Sequence, residues 1–293
     1  MSKPSVAILG LGIMGSGMAR RLLSQDFPLT VYNRNPEKSA PFGSAGAEVA
    51  KTPREAAARS QIIISMVSND AASRNTWLGE EGALEGATAN SILIESSTLS
   101  TAWIHELAIK VAEHGCRFLD APVTGTKPHA ASGELVFLVG GASEAVEAVR
   151  PIFSVLGRET IHLGPVGSGA LMKLVNNFMC GVQAASLAEA LSLINAGGLD
   201  RSAALSILTG GAPGSGIVKR VADRVLKNDY TPNFALRWMA KDLSYAVGEA
   251  SGQKIPFETA TAALSVFERA VDDGHGDEDF SAVAKPGATR RQP

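Results

Sequence analysis

The sequence predicts an α/β protein: a doubly wound, mainly parallel sheet followed by an all-α domain. Two observations carry this prediction. Short apolar runs alternate with longer helical patterns over the first half of the chain, and almost every later segment has helical periodicity. The 293 residues, 45% of them hydrophobic, are enough to bury the cores of two domains. We predict the domain boundary near residue 165, which gives domains 1–165 and 166–293.

The predicted strands are short and apolar on both faces, as expected for parallel strands covered by helices. They are VAIL (6–9), LTVY (29–32), IIISMV (62–67), SILIES (91–96), RFLD (117–120), ELVFLVGG (134–141) and RETIHLG (158–164). Helical patterns between them include SGMARRLLSQ (16–25), PREAAARS (53–60) and TAWIHELAIKVAEHG (101–115). A single long helix is predicted over 170–196, and residues 285–293 are predicted to form a frayed tail.

Composition narrows the class of partner. A net charge of −2 and a pI near 6.2 provide no basic surface for nucleic acid or an anionic membrane, which favours a small-molecule partner. Cys116 and Cys180 lie far apart and are expected to be reduced thiols. The five histidines lack ligand spacing, so no metal is expected. With no signal-peptide pattern and no long uninterrupted apolar run, we expect a soluble, cytoplasmic protein.

The first glycine-rich segment, GLGIMG (10–15), connects a predicted strand to a predicted helix. Gly10 permits a tight turn, Gly12 lets a pyrophosphate approach the backbone, and Gly15 permits close packing of helix and strand. The first-turn N–H groups and the positive end of the helix dipole then form an anion site. This context favours a nucleotide-binding Rossmann turn over a plain β-to-α connection. The predicted cofactor contacts here are Gly10, Leu11, Gly12, Ile13, Met14 and Gly15.

The residues after the second strand favour NADP over NAD as the cofactor. An acidic residue there would accept hydrogen bonds from the ribose 2′-OH and repel a 2′-phosphate, but this chain has Asn33. Arg34 can bind a phosphate through its planar guanidinium, and Lys38 adds a second positive charge. Asn35 is part of the same predicted cofactor loop. The alternative is that Arg34 is an ordinary solvated charge.

A second pattern, GSGALMKLVNN (167–177), opens the long helix. Lys173 and Asn177 are four residues apart, so they share one helix face. A lysine in an apolar stretch is costly to bury without a function or a partner, although it can also extend to solvent. We predict that the two residues form a catalytic pair.

Together the motifs resemble those of the β-hydroxyacid dehydrogenase family, which comprises 3-hydroxyisobutyrate dehydrogenase and its relatives. Within that family they are most similar to NADPH-dependent glyoxylate/succinic semialdehyde reductases. The resemblance covers nearly the whole chain, and its motifs occur in the family's order: GLGIMGSGMA (10–19), DAPVTGTKPHAASGEL (120–135), GSGALMKLVNN (167–177) and KDL (241–243). It implies an NADP-binding domain of the 6-phosphogluconate dehydrogenase type and a homodimer or homotetramer.

The resemblance assigns roles to individual residues. Lys173 matches the catalytic lysine and Asn177 the asparagine beside it. Lys241 matches a lysine at the nicotinamide end of the site, and Thr98 a threonine that contacts the cofactor. The loop at the end of the predicted strand 62–67 is also expected to contact the cofactor, although it lacks the family's usual Leu-Pro. Its residues are Met66, Val67 and Ser68.

The substrate carboxylate is expected at the segment Thr124, Gly125 and Thr126. The family usually has serine followed by two glycines there, so both threonines are departures from its pattern. His129 follows in the same motif, and an inert loop histidine is the simpler interpretation of it.

These residues predict hydride transfer from NADPH to a small aldehyde acid of the glyoxylate or succinic semialdehyde type, which yields the hydroxy acid. Lys173 as an ammonium would stabilise and protonate the substrate oxygen, and Asn177 would hold the lysine or that oxygen. One alternative is an NAD-dependent 3-hydroxyisobutyrate or tartronate semialdehyde enzyme. Two others are an imine reductase, a group that usually has aspartate or tyrosine in place of Lys173, and a non-catalytic oligomerisation module.

Overall fold

Within residues 3–285, nine short strands form one sheet. They are β1 (Val6–Leu9), β2 (Leu29–Tyr32), β3 (Glu48–Val49), β4 (Ile62–Ser65), β5 (Ile92–Glu95), β6 (Arg117–Asp120), β7 (Val123–Thr124), β8 (Leu135–Gly141) and β9 (Gly157–Gly164). Their order is β3-β2-β1-β4-β5-β6-β8-β7, with β9 paired to β8. Strands β1 to β6 are parallel, β8 runs antiparallel to β6 and β7, and β9 is parallel to β8. The sheet is therefore mainly parallel, as predicted.

This computed structural model describes residues 3–285, so most of the predicted C-terminal tail lies outside the described residues. The chain divides into two units, Met1–Lys173 and Leu174–Pro293. The first unit contains the sheet and the helices α1 (Ile13–Leu23), α2 (Ala40–Ser44), α3 (Pro53–Ala58), α4 (Asp70–Leu78), α5 (Thr101–Glu113), α6 (Lys127–Ser132) and α7 (Ser143–Leu156). Helix α8 (Ser168–Ala196) begins in the first unit and ends in the second.

Both faces of the sheet are covered, because alternate residues of each central strand face opposite sides. Val6 and Ile8 of β1 lie in one apolar core together with Met18 and Leu22 of α1. The intervening residues of β1 belong to a second core, which also contains Trp103 and other residues of α5. This arrangement explains why the central strands are apolar throughout.

The strand order reverses between β1 and β4, the place where doubly wound sheets bind their ligands. Because β1, β2, β4, β5 and β6 are parallel, their carboxyl ends lie at one edge of the sheet. The predicted cofactor segments follow the ends of β1, β2, β4 and β5, and the predicted substrate segment begins at the end of β7, the short strand that comes after β6. The topology thus brings together segments that are separated by up to about a hundred residues in the chain.

Several element boundaries differ from the predictions. The strands predicted over 62–67 and 91–96 end at Ser65 and Glu95, because the chain leaves the hydrogen-bonded ladder while its residues are still apolar or small. Strand β7 and helix α6 were not among the predicted elements. Each is only two to six residues long, too short for a sequence pattern to reveal.

The second unit is helical over its described residues. After α8 come α9 (Arg201–Gly210), α10 (Gly216–Lys227), α11 (Leu236–Gly252) and α12 (Glu258–Ala270). Leu187 and Leu191 of α8 pack with Leu243 of α11 and Phe267 of α12 in an apolar core.

By length and composition α8 could cross a membrane, and 39% of its most apolar 18-residue window is buried within the protein. Its packing in this core leads us to interpret it as the central helix of the second unit.

Candidate active site

The glycine turn between β1 and α1 has the geometry that a dinucleotide site requires. A Cβ atom on Gly10, whose φ is +104°, would lie 2.3 Å from the carbonyl oxygen of Met66. A Cβ on Gly15 would lie 2.0 Å from the carbonyl oxygen of Gly10. At Gly12, by contrast, no described atom lies within 4 Å of the added Cβ. Packing requires the outer two glycines, whereas Gly12 leaves open space at the start of α1, where a pyrophosphate fits.

Asn33 joins the end of β2 to this turn. Its Oδ1 accepts the backbone N–H of Leu11 at 2.9 Å, and its Nδ2 donates to the carbonyl oxygen of Asn35 at 3.0 Å. The Leu11 N–H is therefore used within the protein, and the Leu11 side chain is buried. Arg34 and Lys38 are exposed beside this turn. Both can meet a phosphate from solvent, while Asn33 orders the loop that carries them.

The predicted substrate segment follows β7 and leads into α6. Gly125 is exposed and has a φ of +131°, a conformation that favours glycine. Helix α6 packs against α1, where a Cβ on Gly17 would lie 2.7 Å from the Cβ of Ala130. The substrate segment is thus held next to the helix that begins at the glycine turn.

His129 is hydrogen-bonded to the predicted substrate segment. Its Nδ1 accepts the backbone N–H of Thr126 at 3.1 Å and lies 2.8 Å from the Thr126 hydroxyl. One of the two departures from the family pattern, Thr126, therefore pairs with His129 of the same motif. This pairing leaves the Thr124 hydroxyl and the exposed backbone at Gly125 as the groups of the segment best placed to bind an anion.

A buried carboxylate at the end of β6 caps α8. Asp120 accepts the backbone N–H of Gly167 at 2.8 Å on one oxygen and that of Ala170 at 2.7 Å on the other. Burial raises the pKa of Asp120, and the hydrogen bonds from these N–H groups act in the opposite direction. A Cβ on Gly169 would lie 2.3 Å from the carbonyl oxygen of Leu138, so the glycines of this motif allow the helix to dock closely on the sheet.

Lys173 lies one turn beyond this cap and is half-buried. Asn177 follows on the same face of α8 and is buried in the second unit. Its Nδ2 donates to Asp242 at 2.5 Å, and the other oxygen of Asp242 lies 2.9 Å from the Nζ of Lys241. Asp242 is 1% exposed, so one buried carboxylate orients both the asparagine and the lysine of α11.

The structure groups the predicted residues in two sets. The glycine turn and the segments around Asn33, Val67, Thr98 and Gly125 follow strand ends at one edge of the sheet, while Asn177 and Lys241 share Asp242 within the helical unit. Sequence reasoning missed the positioning acids Asp120 and Asp242, although each stands inside a quoted motif. The one sequence feature that could have pointed to a buried carboxylate is that each acid stands next to apolar residues. Within residues 3–285, no group of three or more His, Cys, Asp or Glu side chains could hold a metal.

Comparison with known proteins agrees with this geometry. The family described as the NAD binding domain of 6-phosphogluconate dehydrogenase matches residues 5–164, and the family described as NAD-binding of NADP-dependent 3-hydroxyisobutyrate dehydrogenase matches residues 167–286. Glyoxylate/succinic semialdehyde reductase 2, chloroplastic, from Arabidopsis thaliana is 32% identical over 95% of this chain and 78% of that protein. The 3-sulfolactaldehyde reductase of Escherichia coli is 34% identical over 95% of this chain and 94% of that protein.

A solved structure, 3-hydroxyisobutyrate dehydrogenase from Salmonella typhimurium, matches with a TM-score of 0.87 and 29% identity over 96% of this chain and 99% of that chain. The chain also matches the human cytokine-like nuclear factor N-PAC at 33% identity, but it spans only 50% of that protein's length. The fold and the site define an NAD(P)-dependent oxidoreductase. The chain belongs to the β-hydroxyacid dehydrogenase family, of the 3-hydroxyisobutyrate dehydrogenase type.

Proposed function

We propose that this chain reduces small aldehyde acids of the glyoxylate or succinic semialdehyde type to hydroxy acids, with NADPH as the hydride donor. The observation that carries the proposal is the pair Lys173 and Asn177 on α8, with Asn177 held by the buried Asp242. When bound, the reduced nicotinamide supplies the hydride. The protein must then stabilise negative charge on the substrate oxygen and deliver a proton to it.

Lys173 fits the role of the proton donor. An ammonium group stabilises an oxygen that gains negative charge and can transfer a proton to it. Asn177 cannot serve as an acid, but its amide, oriented by Asp242, can hold the lysine or the substrate oxygen. Lysine at this position also favours an aldehyde reductase over an imine reductase, and a non-catalytic module would have no need to keep it.

The acid group of the substrate is assigned to the segment 124–126. Because His129 bonds Thr126, the Thr124 hydroxyl and the backbone at Gly125 are left to bind a carboxylate. A relative of this chain is named for a sulfonate-bearing aldehyde, so the anion need not be a carboxylate. We therefore include both anions in the substrate test.

The proposal is tested with a panel of aldehydes: glyoxylate, succinic semialdehyde, tartronate semialdehyde, methylmalonate semialdehyde and 3-sulfolactaldehyde. A cyclic imine is added, and consumption of NADPH and of NADH is followed separately for each compound. We expect turnover of at least one aldehyde acid and a higher kcat/KM with NADPH. Consumption of the imine alone would identify an imine reductase, and no turnover of any compound would favour the non-catalytic module. A preference for NADH would favour the NAD-dependent 3-hydroxyisobutyrate or tartronate semialdehyde alternative.

Cofactor preference is expected to depend on Arg34. A hydrogen bond to a charged group contributes about 1.5–3 kcal/mol, and solvent around the exposed Arg34 favours the lower end of that range. Arg34→Ala is therefore expected to weaken NADPH binding by about tenfold while changing NADH binding little. The measurement is kcat/KM with both cofactors. Arg117→Ala, at the opposite end of the parallel strands, serves as the control and should change neither value.

Adding Asn33→Asp to Arg34→Ala is expected to invert the preference, because a carboxylate repels a 2′-phosphate and accepts from a 2′-OH. The aspartate can still accept the Leu11 N–H, but it loses the hydrogen bond to the carbonyl oxygen of Asn35. Its effect must therefore be measured with both cofactors. A double variant that still prefers NADPH would contradict the assignment of this loop.

We also propose that the chain acts as a homodimer or homotetramer with α8 at an interface. Large apolar side chains of this helix are exposed at 38% to 76%, namely Leu171, Met172, Val175, Met179 and Leu193. Exposed apolar side chains along one helix are typical of an interaction surface. Light scattering on the eluting protein should report at least twice the 30.4 kDa chain mass. A monomer at assay concentration would contradict the proposal.

A further inference from the structure

Glu95, the last residue of β5, is fully buried and accepts hydrogen bonds from three residues. The Ser73 hydroxyl and the Trp77 Nε1 donate to one oxygen at 2.5 and 2.8 Å. The backbone N–H of Ser97 donates to the other oxygen at 3.0 Å. Burial raises the pKa of Glu95, and the hydrogen bonds from Ser73, Ser97 and Trp77 act in the opposite direction.

Ser73 also connects Glu95 to a tryptophan. Trp103 Nε1, which can only donate, donates to the Ser73 Oγ at 2.9 Å, and the Ser73 hydroxyl donates to Glu95. Replacing a buried ionic group with well-packed apolar residues often costs no stability. We therefore looked for a role of this cluster other than stabilising the fold.

The cluster leads directly to the cofactor loops. The Ser97 Oγ accepts the backbone N–H of Val67 at 2.7 Å, and Thr98 is the next residue along the chain. Val67 follows Met66, whose carbonyl oxygen abuts the glycine turn at Gly10. Ser97 therefore connects the loop after β4 to the loop after β5, and Glu95 fixes Ser97 by accepting its backbone N–H.

We propose that Glu95 is a positioning residue for the nicotinamide cofactor. Acting through Ser97, it fixes the loop of Met66, Val67 and Ser68 and the adjacent Thr98 in the arrangement that binds the cofactor. This inference rests on the proposed cofactor-dependent function.

Two matched serine substitutions separate positioning from stability. Ser97→Ala and Ser73→Ala each remove one hydroxyl from the cluster, but only the Ser97 hydroxyl holds Val67. We expect Ser97→Ala to raise the Kd for NADPH, measured by calorimetry, by about five- to twentyfold. We expect Ser73→Ala to leave it within about twofold, because Trp77 and Ser97 still bond Glu95. Both variants should lower the thermal midpoint by a similar amount.

Hydrogen exchange of the protein without added cofactor provides a second readout. The peptide that contains Val67 should exchange about tenfold faster in Ser97→Ala and should be unchanged in Ser73→Ala. Glu95→Gln should also speed exchange and weaken NADPH binding. Donors face both oxygens of Glu95, so the NH2 group of the glutamine would face either Trp77 Nε1 or the Ser97 N–H and lose that hydrogen bond.

The outcomes distinguish this inference from the function on which it rests. Equal Kd values for the two serine variants, unchanged exchange at Val67 in Ser97→Ala, or wild-type NADPH binding and exchange in Glu95→Gln would overturn the role of Glu95 alone. A wild-type protein that binds neither NADPH nor NADH would overturn the proposed function, and the cofactor role of Glu95 with it. The inference is supported if NADPH binding weakens and exchange at Val67 speeds up in both Ser97→Ala and Glu95→Gln, while Ser73→Ala changes only the thermal midpoint.

Discussion

Lys173→Ala is expected to lower kcat by about two to four orders of magnitude, the usual contribution of a positioned general acid. The alanine removes both the proton donor and the positive charge near the substrate oxygen. NADPH affinity should stay nearly unchanged, because the glycine turn and the loop at Asn33 lie on other elements. The measurement is steady-state turnover of the best aldehyde acid, together with the calorimetric Kd for NADPH.

Lys219→Ala is the matched control for this variant. Lys219 is also a helical lysine, but it is exposed on α10 and belongs to no predicted site. Its replacement should leave kcat within about twofold, as expected for an isolated surface charge. A Lys173→Ala enzyme that keeps most of its activity would show that another group donates the proton.

Asp120→Asn is expected to reduce kcat by about a hundredfold, because a displacement of about 1 Å at a catalytic group has an effect of this size. Both carboxylate oxygens accept backbone N–H groups at the start of α8. An asparagine must turn its NH2 group toward one of these donors, which shifts the helix that carries Lys173. Loss of a charge-assisted hydrogen bond should also lower the free energy of unfolding by about 1.5–3 kcal/mol.

Asp200→Asn is the control, because Asp200 also accepts a backbone N–H at the start of a helix, that of Ala203 in α9, but it is exposed and lies outside the candidate site. It should leave kcat and the thermal midpoint nearly unchanged, since asparagine is an equally good helix cap. Hydrogen exchange of the peptide that contains Gly167 and Ala170 should rise in Asp120→Asn alone. Normal kcat in Asp120→Asn, despite faster exchange there, would show that the cap is structural and does not position Lys173.

Much of the fold could be predicted because its determinants are local. Alternating strand and helix patterns identified the doubly wound sheet, and the boundaries of β1, β2 and β6 agree with the prediction. Strands β4 and β5 end before Met66 and Ser96, earlier than predicted. Apolar residues indicate that a segment is buried, but not where its strand-to-strand hydrogen bonds end. Helix α6 was not predicted, since its six residues are too few to show helical periodicity.

The sequence by itself determined the glycine spacing of the nucleotide turn and the shared face of Lys173 and Asn177, because both depend on chain geometry over a few residues. Only the tertiary structure decided which acidic residues hold the start of α8 and the Asn177 side chain. Asp120 is 47 residues from Gly167 in the chain, and Asp242 is 65 residues from Asn177. No periodicity links such distant positions. Each buried carboxylate must find its donors when strands and helices pack, since an unpaired buried charge is too costly to retain.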